Sequence, residues 1–89
     1  MYKRLVEARH TAALMTYITP GTCVIDVGAN NGFFTLQFAQ QVGGDGHVFS
    51  IEPESHNFNQ LLKQLQRAGL ASRVTALQAV AADSAGERH

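Results

Sequence analysis

Cysteine occurs once in the 89 residues, at Cys23, tryptophan not at all, and proline only at Pro20 and Pro53. A lone thiol can close no internal bridge and build no cysteine metal knuckle, so packing alone must hold the fold, as suits a reducing cytosol. An excess of either charge is also missing. Seven basic residues balance seven acidic ones, which leaves no field to draw phosphate backbones or anionic lipid; neither nucleic acid nor a membrane is expected as a partner. Long apolar runs are absent too. Asp26, Glu52 and Lys63 interrupt every candidate well short of the roughly 18 residues a membrane span needs, and Glu7, Arg9 and His10 break what would have to be the apolar core of a signal peptide. A cytoplasmic location is expected. His10, His47, His56 and His89 share no ligand spacing, so no metal is expected.

What is present suits one small globular domain spanning residues 1–89, since 45% of the residues are hydrophobic and 16% charged. Leu5, Ala8, Ala12, Met15 and Ile18 recur at steps of three and four, which predicts an amphipathic helix over 3–18 that Pro20-Gly21 stops. Cys23 to Val27 is short, β-branched and apolar on both faces, the pattern of a central parallel strand. Phe34, Phe38 and Val42 then predict a helix over 33–42. A hairpin is the alternative there, because Asn31-Gly32 is a turn signal and Phe34, Leu36 and Phe38 alternate with polar residues; the length and Gln37, Ala39, Gln40 and Gln41 favour helix.

Gly43 to Gly46 breaks the chain before a second strand at His47–Glu52, which Pro53 ends. Ser55 is the expected N-cap of a helix carrying Phe58, Leu61, Leu62 and Leu65 on its core stripe and closed by Gly69. Arg73 to Val80 reads as a third strand, and Ala81 to His89 as a polar tail. The order αβαβαβ specifies an α/β fold: a parallel sheet with right-handed crossovers and helices on both faces.

In such sheets ligands sit beyond the carboxyl ends of the strands, at the first strand-to-helix turn. Gly28 and Gly32 lie in that turn with Asn30 between them, residues that tolerate positive φ and let backbone N–H groups approach a ligand. A dinucleotide fingerprint asks for G-x-G-x-x-G around a pyrophosphate, whereas this loop reads Asp26-x-Gly28-x-Asn30-x-Gly32. An acid at that position repels pyrophosphate and suits an ammonium. S-adenosyl-L-methionine carries an ammonium, a carboxylate and two ribose hydroxyls, and Glu52, 20 positions past Gly32, stands where both ribose O–H groups can be accepted. Set against these readings, Asp26 is a local turn cap and Glu52 a solvated strand end. Cys23 is read as a small buried hydrophobe, and Phe33 and Phe34 as core.

The stretch from Thr19 to Thr35, with D-V-G-A-N-N-G at its centre, and Gly46 to Pro53, ending in Glu52-Pro53, resemble the opening of the FkbM family of class I S-adenosylmethionine-dependent methyltransferases. The resemblance covers most of residues 17 to 86. It implies a Rossmann-like sheet in which Asp26 and the backbone of Gly28, Ala29, Asn30, Asn31 and Gly32 hold the methionine end of the cofactor. By the same resemblance Glu52 binds the ribose, Pro53 borders the adenine and Asp83 is the adenine-side acid. Seven strands are usual in that class, so the chain corresponds to a cofactor-binding half, truncated after the third strand, of an enzyme that transfers methyl to oxygen. The acceptor, a small molecule or glycan, and the catalytic base belong to the other half. The alternatives are a non-catalytic fragment, or half of an NAD-dependent oxidoreductase. An unpaired edge on the first or third strand invites self-association.

Overall fold

A computed structural model describes the backbone of residues 5–8 and the whole of residues 18–80. Four parallel strands form one sheet in chain order: β1 (Leu5–Ala8), β2 (Cys23–Val27), β3 (His47–Ile51) and β4 (Val74–Leu77). Helix α1 (Phe33–Val42) joins β2 to β3, and α2 (Ser55–Ala68) with the short 3-10 turn Ala71–Arg73 joins β3 to β4. The register aligns Asp26 with Ser50 across β2 and β3, and Ser50 with Ala76 across β3 and β4. Strands β2, β3 and β4 with the two crossover helices form the α/β, Rossmann-like arrangement that the sequence predicts, and β1 adds a fourth parallel strand that it does not.

The two helices lie side by side on one face of the sheet, where a single cluster gathers Val24, Val48 and Val74 from the strands with Phe38, Ala39 and Val42 from α1 and Leu61 and Leu65 from α2. Each crossover advances one strand in the same direction, and a constant right hand then keeps both helices on the same side. Alternate positions point the other way: Cys23, Ile25, Val27 and Ile51 are half-buried, and Phe49 and Leu77 are exposed. Among the described residues no helix packs on that second face.

The strand at Cys23–Val27 and the helix at Phe33–Val42 fall where expected, which removes the hairpin alternative. At the N-terminus the expected helix over 3–18 is not what residues 5–8 form. Leu5–Ala8 pair in parallel with Cys23–Asp26, because the open edge of β2 offers a row of backbone partners that outweighs a weak helical stripe in so short a segment. Residues 9–17 of that predicted helix lie outside the described residues, as does the predicted tail from Ala81. Helix α2 is capped by Glu54 rather than Ser55: the Glu54 carboxylate accepts from the Asn57 N–H at 2.7 Å. Ser55 is the first helical residue, and its hydroxyl accepts from Gln78 Nε2 at 2.8 Å. Gly69 closes α2 in the left-handed region, φ 71°. Cys23 is half-buried rather than buried. Among the described residues no helix is long and apolar enough to cross a membrane.

Candidate functional site

Strand β2 ends in the loop Gly28–Gly32, whose shape depends on backbone conformations that side chains resist. Asn30 is the only described non-glycine residue at positive φ, 55°, and Gly32 stands at 95° where it leads into α1. Gly32 is held to glycine twice over. Besides its φ, a Cβ there would lie 2.8 Å from Leu61 Cδ1 and 3.2 Å from Leu61 Cα, so the missing side chain lets α2 press against the start of α1. Gly32 caps α1 with no side-chain hydrogen bond to the first turn, apart from Asn31 Oδ1, which accepts from the Phe33 N–H at 3.1 Å. The remaining first-turn N–H groups are the natural partners of an anion.

The loop is anchored to β3. The N–H groups of Gly28 and Ala29 both donate to the Ile51 carbonyl, at 2.9 and 3.1 Å. Directly beyond, Glu52 is only 3% exposed. Its Oε1 accepts from the Asn30 N–H at 2.7 Å and its Oε2 from the Glu54 N–H at 3.0 Å. One carboxylate therefore clamps the glycine loop to the turn that opens α2. Each oxygen keeps a further lone pair.

Asp26 ends the buried face of β2 and is 4% exposed. Its Oδ2 accepts from the Thr35 hydroxyl at 2.6 Å, and among the described residues Oδ1 accepts from none. Burial pushes the Asp26 carboxyl up to about 6 from the ordinary 3.8; the Thr35 hydrogen bond opposes that rise, and the nearby negative charge of Glu52 adds to it. Two acids thus converge on one loop, both buried and close enough to repel. A cation brought between them relieves that repulsion.

The structure brings together Asp26, Gly28, Ala29, Asn30, Asn31, Gly32, Glu52 and Pro53, with Gly28, Asn30, Asn31 and Pro53 exposed at the rim and the two acids beneath. Asp83 lies outside the described residues. Phe33 and Phe34 are not core, in contrast to the expectation: they are 59% and 39% exposed and meet edge to face, with centroids 5.0 Å apart, beside the loop. They lie off the Thr35, Phe38 and Val42 face of α1 that packs on the sheet. Sequence reasoning missed Thr35 and Ser50, both fully buried. The signal was available in Thr35, a polar residue three and seven positions before Phe38 and Val42 on the buried stripe.

A parallel sheet with a glycine loop after β2 and an acid ending β3 defines the class: a Rossmann-like domain of the type that binds a nucleotide-bearing cofactor at its strand ends. Comparison with known proteins makes this particular. Residues 26–88 match the methyltransferase FkbM domain. A protein-L-isoaspartate O-methyltransferase of Hyperthermus butylicus is 36% identical, the match covering 81% of this chain and 34% of that protein. The crystal structure of an S-adenosylmethionine-dependent O-methyltransferase from Thermotoga maritima superposes with a TM-score of 0.70 at 30% identity, over 75% of this chain and 25% of the other. The crystal structure of an S-adenosylmethionine-dependent methyltransferase from Aquifex aeolicus, at 24% identity and a TM-score of 0.69 over 79% of this chain and 38% of its own, shares the fold. The chain belongs to the FkbM methyltransferase domain family. It spans about a third of the length of the curated relative from Hyperthermus.

Proposed function

We propose that this chain is the cofactor-binding part of an S-adenosylmethionine-dependent methyltransferase that acts on oxygen. The carrying observation is the pair of buried carboxylates, Asp26 and Glu52, at the ends of adjacent strands on either side of the glycine loop. The residues fit the cofactor. Asp26 Oδ1 is a buried acceptor without a described donor, suited to the ammonium, and the spare lone pairs of Glu52 suit the ribose hydroxyls. The first turn of α1 offers N–H groups to the carboxylate, and Pro53 at the rim borders the adenine. When bound, the cofactor would supply the methyl group of its sulfonium to the acceptor oxygen, and would itself be left as a neutral thioether as the S–CH3 bond breaks.

The chain's own residues bind and orient. Asp26 would hold the amino-acid end, and Glu52, which already ties the loop to the start of α2, would accept from the sugar. The methyl acceptor, a small molecule or glycan, and the base that activates its oxygen are the business of residues beyond those described. The reading is supported by family membership and by the O-methyltransferases among the relatives. Calorimetry with S-adenosylhomocysteine tests it: the protein binds, and Asp26→Ala and Glu52→Ala each weaken binding. Unchanged affinity in both variants removes the assignment, and tighter binding of NAD restores the oxidoreductase alternative. Affinity for neither ligand leaves a folded fragment without turnover.

A further inference from the structure

The sheet-facing stripe of α1 consists of Thr35, Phe38, Ala39 and Val42, all buried. Three of these are apolar and Thr35 is not. Opposite it, Ser50 occupies the inward position of β3 next after Val48, and it too is fully buried. Two hydroxyls in an otherwise apolar layer are costly unless each finds a partner, and here the partners form a directed chain. Ser50 Oγ donates to Thr35 Oγ1 at 3.2 Å, and Thr35 Oγ1 donates to Asp26 Oδ2 at 2.6 Å. The second distance is that of a hydroxyl bonded to a charged oxygen. Because Ser50 uses the acceptor side of the Thr35 hydroxyl, the threonine's single proton is committed to the carboxylate.

We propose that Thr35, backed by Ser50, is the positioning residue of the cofactor site: it ties Oδ2 of Asp26 to the helix, sets the rotation of the carboxylate and leaves Oδ1 as the oxygen presented to the cofactor's ammonium. This rests on the S-adenosylmethionine reading above and names residues outside its glycine loop and acid pair. The bond also favours the ionised carboxylate, against burial and against Glu52. Of the elements around Asp26, α1 and β4 carry no charged residue. His47 begins β3 and Glu52 follows it, α2 carries His56, Lys63 and Arg67, and β1 includes Glu7. Among the described side chains, Glu52 adds to the rise that burial causes at the Asp26 carboxyl.

The test compares wild type with Thr35→Val, Thr35→Ser and Ser50→Ala, measuring S-adenosylhomocysteine affinity by calorimetry across pH, with urea unfolding of each protein alongside. Valine keeps the shape and removes the proton. The expected result is about tenfold weaker binding for Thr35→Val near neutrality, the loss of a hydrogen bond to a charged group, with the acid limb of the affinity profile moved to higher pH. Thr35→Ser restores both to near wild type, and Ser50→Ala moves both the same way by a smaller factor. A folded Thr35→Val protein with wild-type affinity and an unmoved acid limb overturns the inference while leaving the cofactor reading intact. Should Thr35→Val not fold, Ser50→Ala decides, since an unmoved limb there overturns it equally. Wild type that binds no S-adenosylhomocysteine defeats the cofactor reading, and this inference falls with it.

Discussion

Replacing Asp26 by asparagine should make the ligand-free protein more stable and less able to bind. The side chain is 4% exposed, and its carboxyl is raised from 3.8 to about 6, so the native state holds a proton that the unfolded chain has already lost over that interval. Where the native state binds more protons than the unfolded one, stability falls as pH rises. At 1.36 kcal/mol per pH unit the loss comes to roughly 3 kcal/mol, complete above about pH 6 and absent below about pH 4. That is a large share of the 5–15 kcal/mol typical of a domain. Asparagine is nearly isosteric, cannot ionise, and keeps an oxygen to accept from Thr35 Oγ1. Urea unfolding of both proteins across this range should therefore give free energies that agree at the acid end and diverge, in favour of Asp26→Asn, toward neutrality. In parallel, S-adenosylhomocysteine affinity near neutrality should fall at least about tenfold, because an amide cannot pair with the ammonium. A stability difference that is flat with pH, or one that grows toward acid, would refute the assignment of burial as the dominant cause.

Glu52→Gln places an amide N–H against the N–H of either Asn30 or Glu54. It should cost about 1–3 kcal/mol in urea unfolding and, by removing the like charge, lower the Asp26 titration midpoint measured by carboxyl carbon NMR; no change in either contradicts the clamp. Gly32→Ala combines a φ of 95° with a contact of 2.8 Å to Leu61 Cδ1 and should lose about 3 kcal/mol. That corresponds to a fall of about 10 °C or more in Tm, and a neutral result by calorimetric scanning would mean that α1 and α2 are not seated there. The outer edge of β4 has no strand partner among the described residues, and Phe49 and Leu77 are exposed on the second face. The protein is expected to self-associate, its apparent mass in light scattering rising above 9.6 kDa with concentration; a constant monomer would exclude this.

The parts of the site written in local sequence were legible and the parts made by packing were not. Asp26, Gly28, Gly32 and Glu52 could be found because the loop's needs for positive φ, close backbone approach and a charge at each end each call for particular residue types at fixed spacing. The bounds of β2 and α1 followed from Cys23–Val27 and the Gln-rich run before Gly43. Leu5–Ala8 was misread because its strand exists by pairing with β2, a tertiary effect that no period within four residues reveals. Glu54 holds the cap because it is the extended residue before the helix, φ −83° and ψ 127°, while Ser55 is already helical. Thr35 is hidden because the apolar stripe starts from Phe34, one residue off the face that is buried, and nothing in the local pattern of His47–Glu52 marks Ser50. Only the register that sets Asp26 beside Ser50, with α1 above both, shows the two hydroxyls to be one chain.

That buried chain also bears on which ligand the loop selects. The free site carries one carboxylate near neutrality that burial and Glu52 both push toward protonation. A ligand bearing an ammonium binds the ionised form of Asp26, so its affinity must rise with pH up to the carboxyl's own titration near 6, and binding below that point must release a proton. A pyrophosphate makes the opposite demand: it tolerates Asp26 only when neutral, and its affinity must fall as pH rises through the same range. The glycine spacing argues against a dinucleotide from shape alone, whereas the sign of the pH dependence separates the two ligand classes by charge, independently of loop geometry. Glu52 already serves the fold as the clamp between the loop and α2, whereas the cost of keeping Asp26 ionised and buried has no such return in the free protein; on the proposed reading it is recovered by a ligand that is cationic at the end of β2.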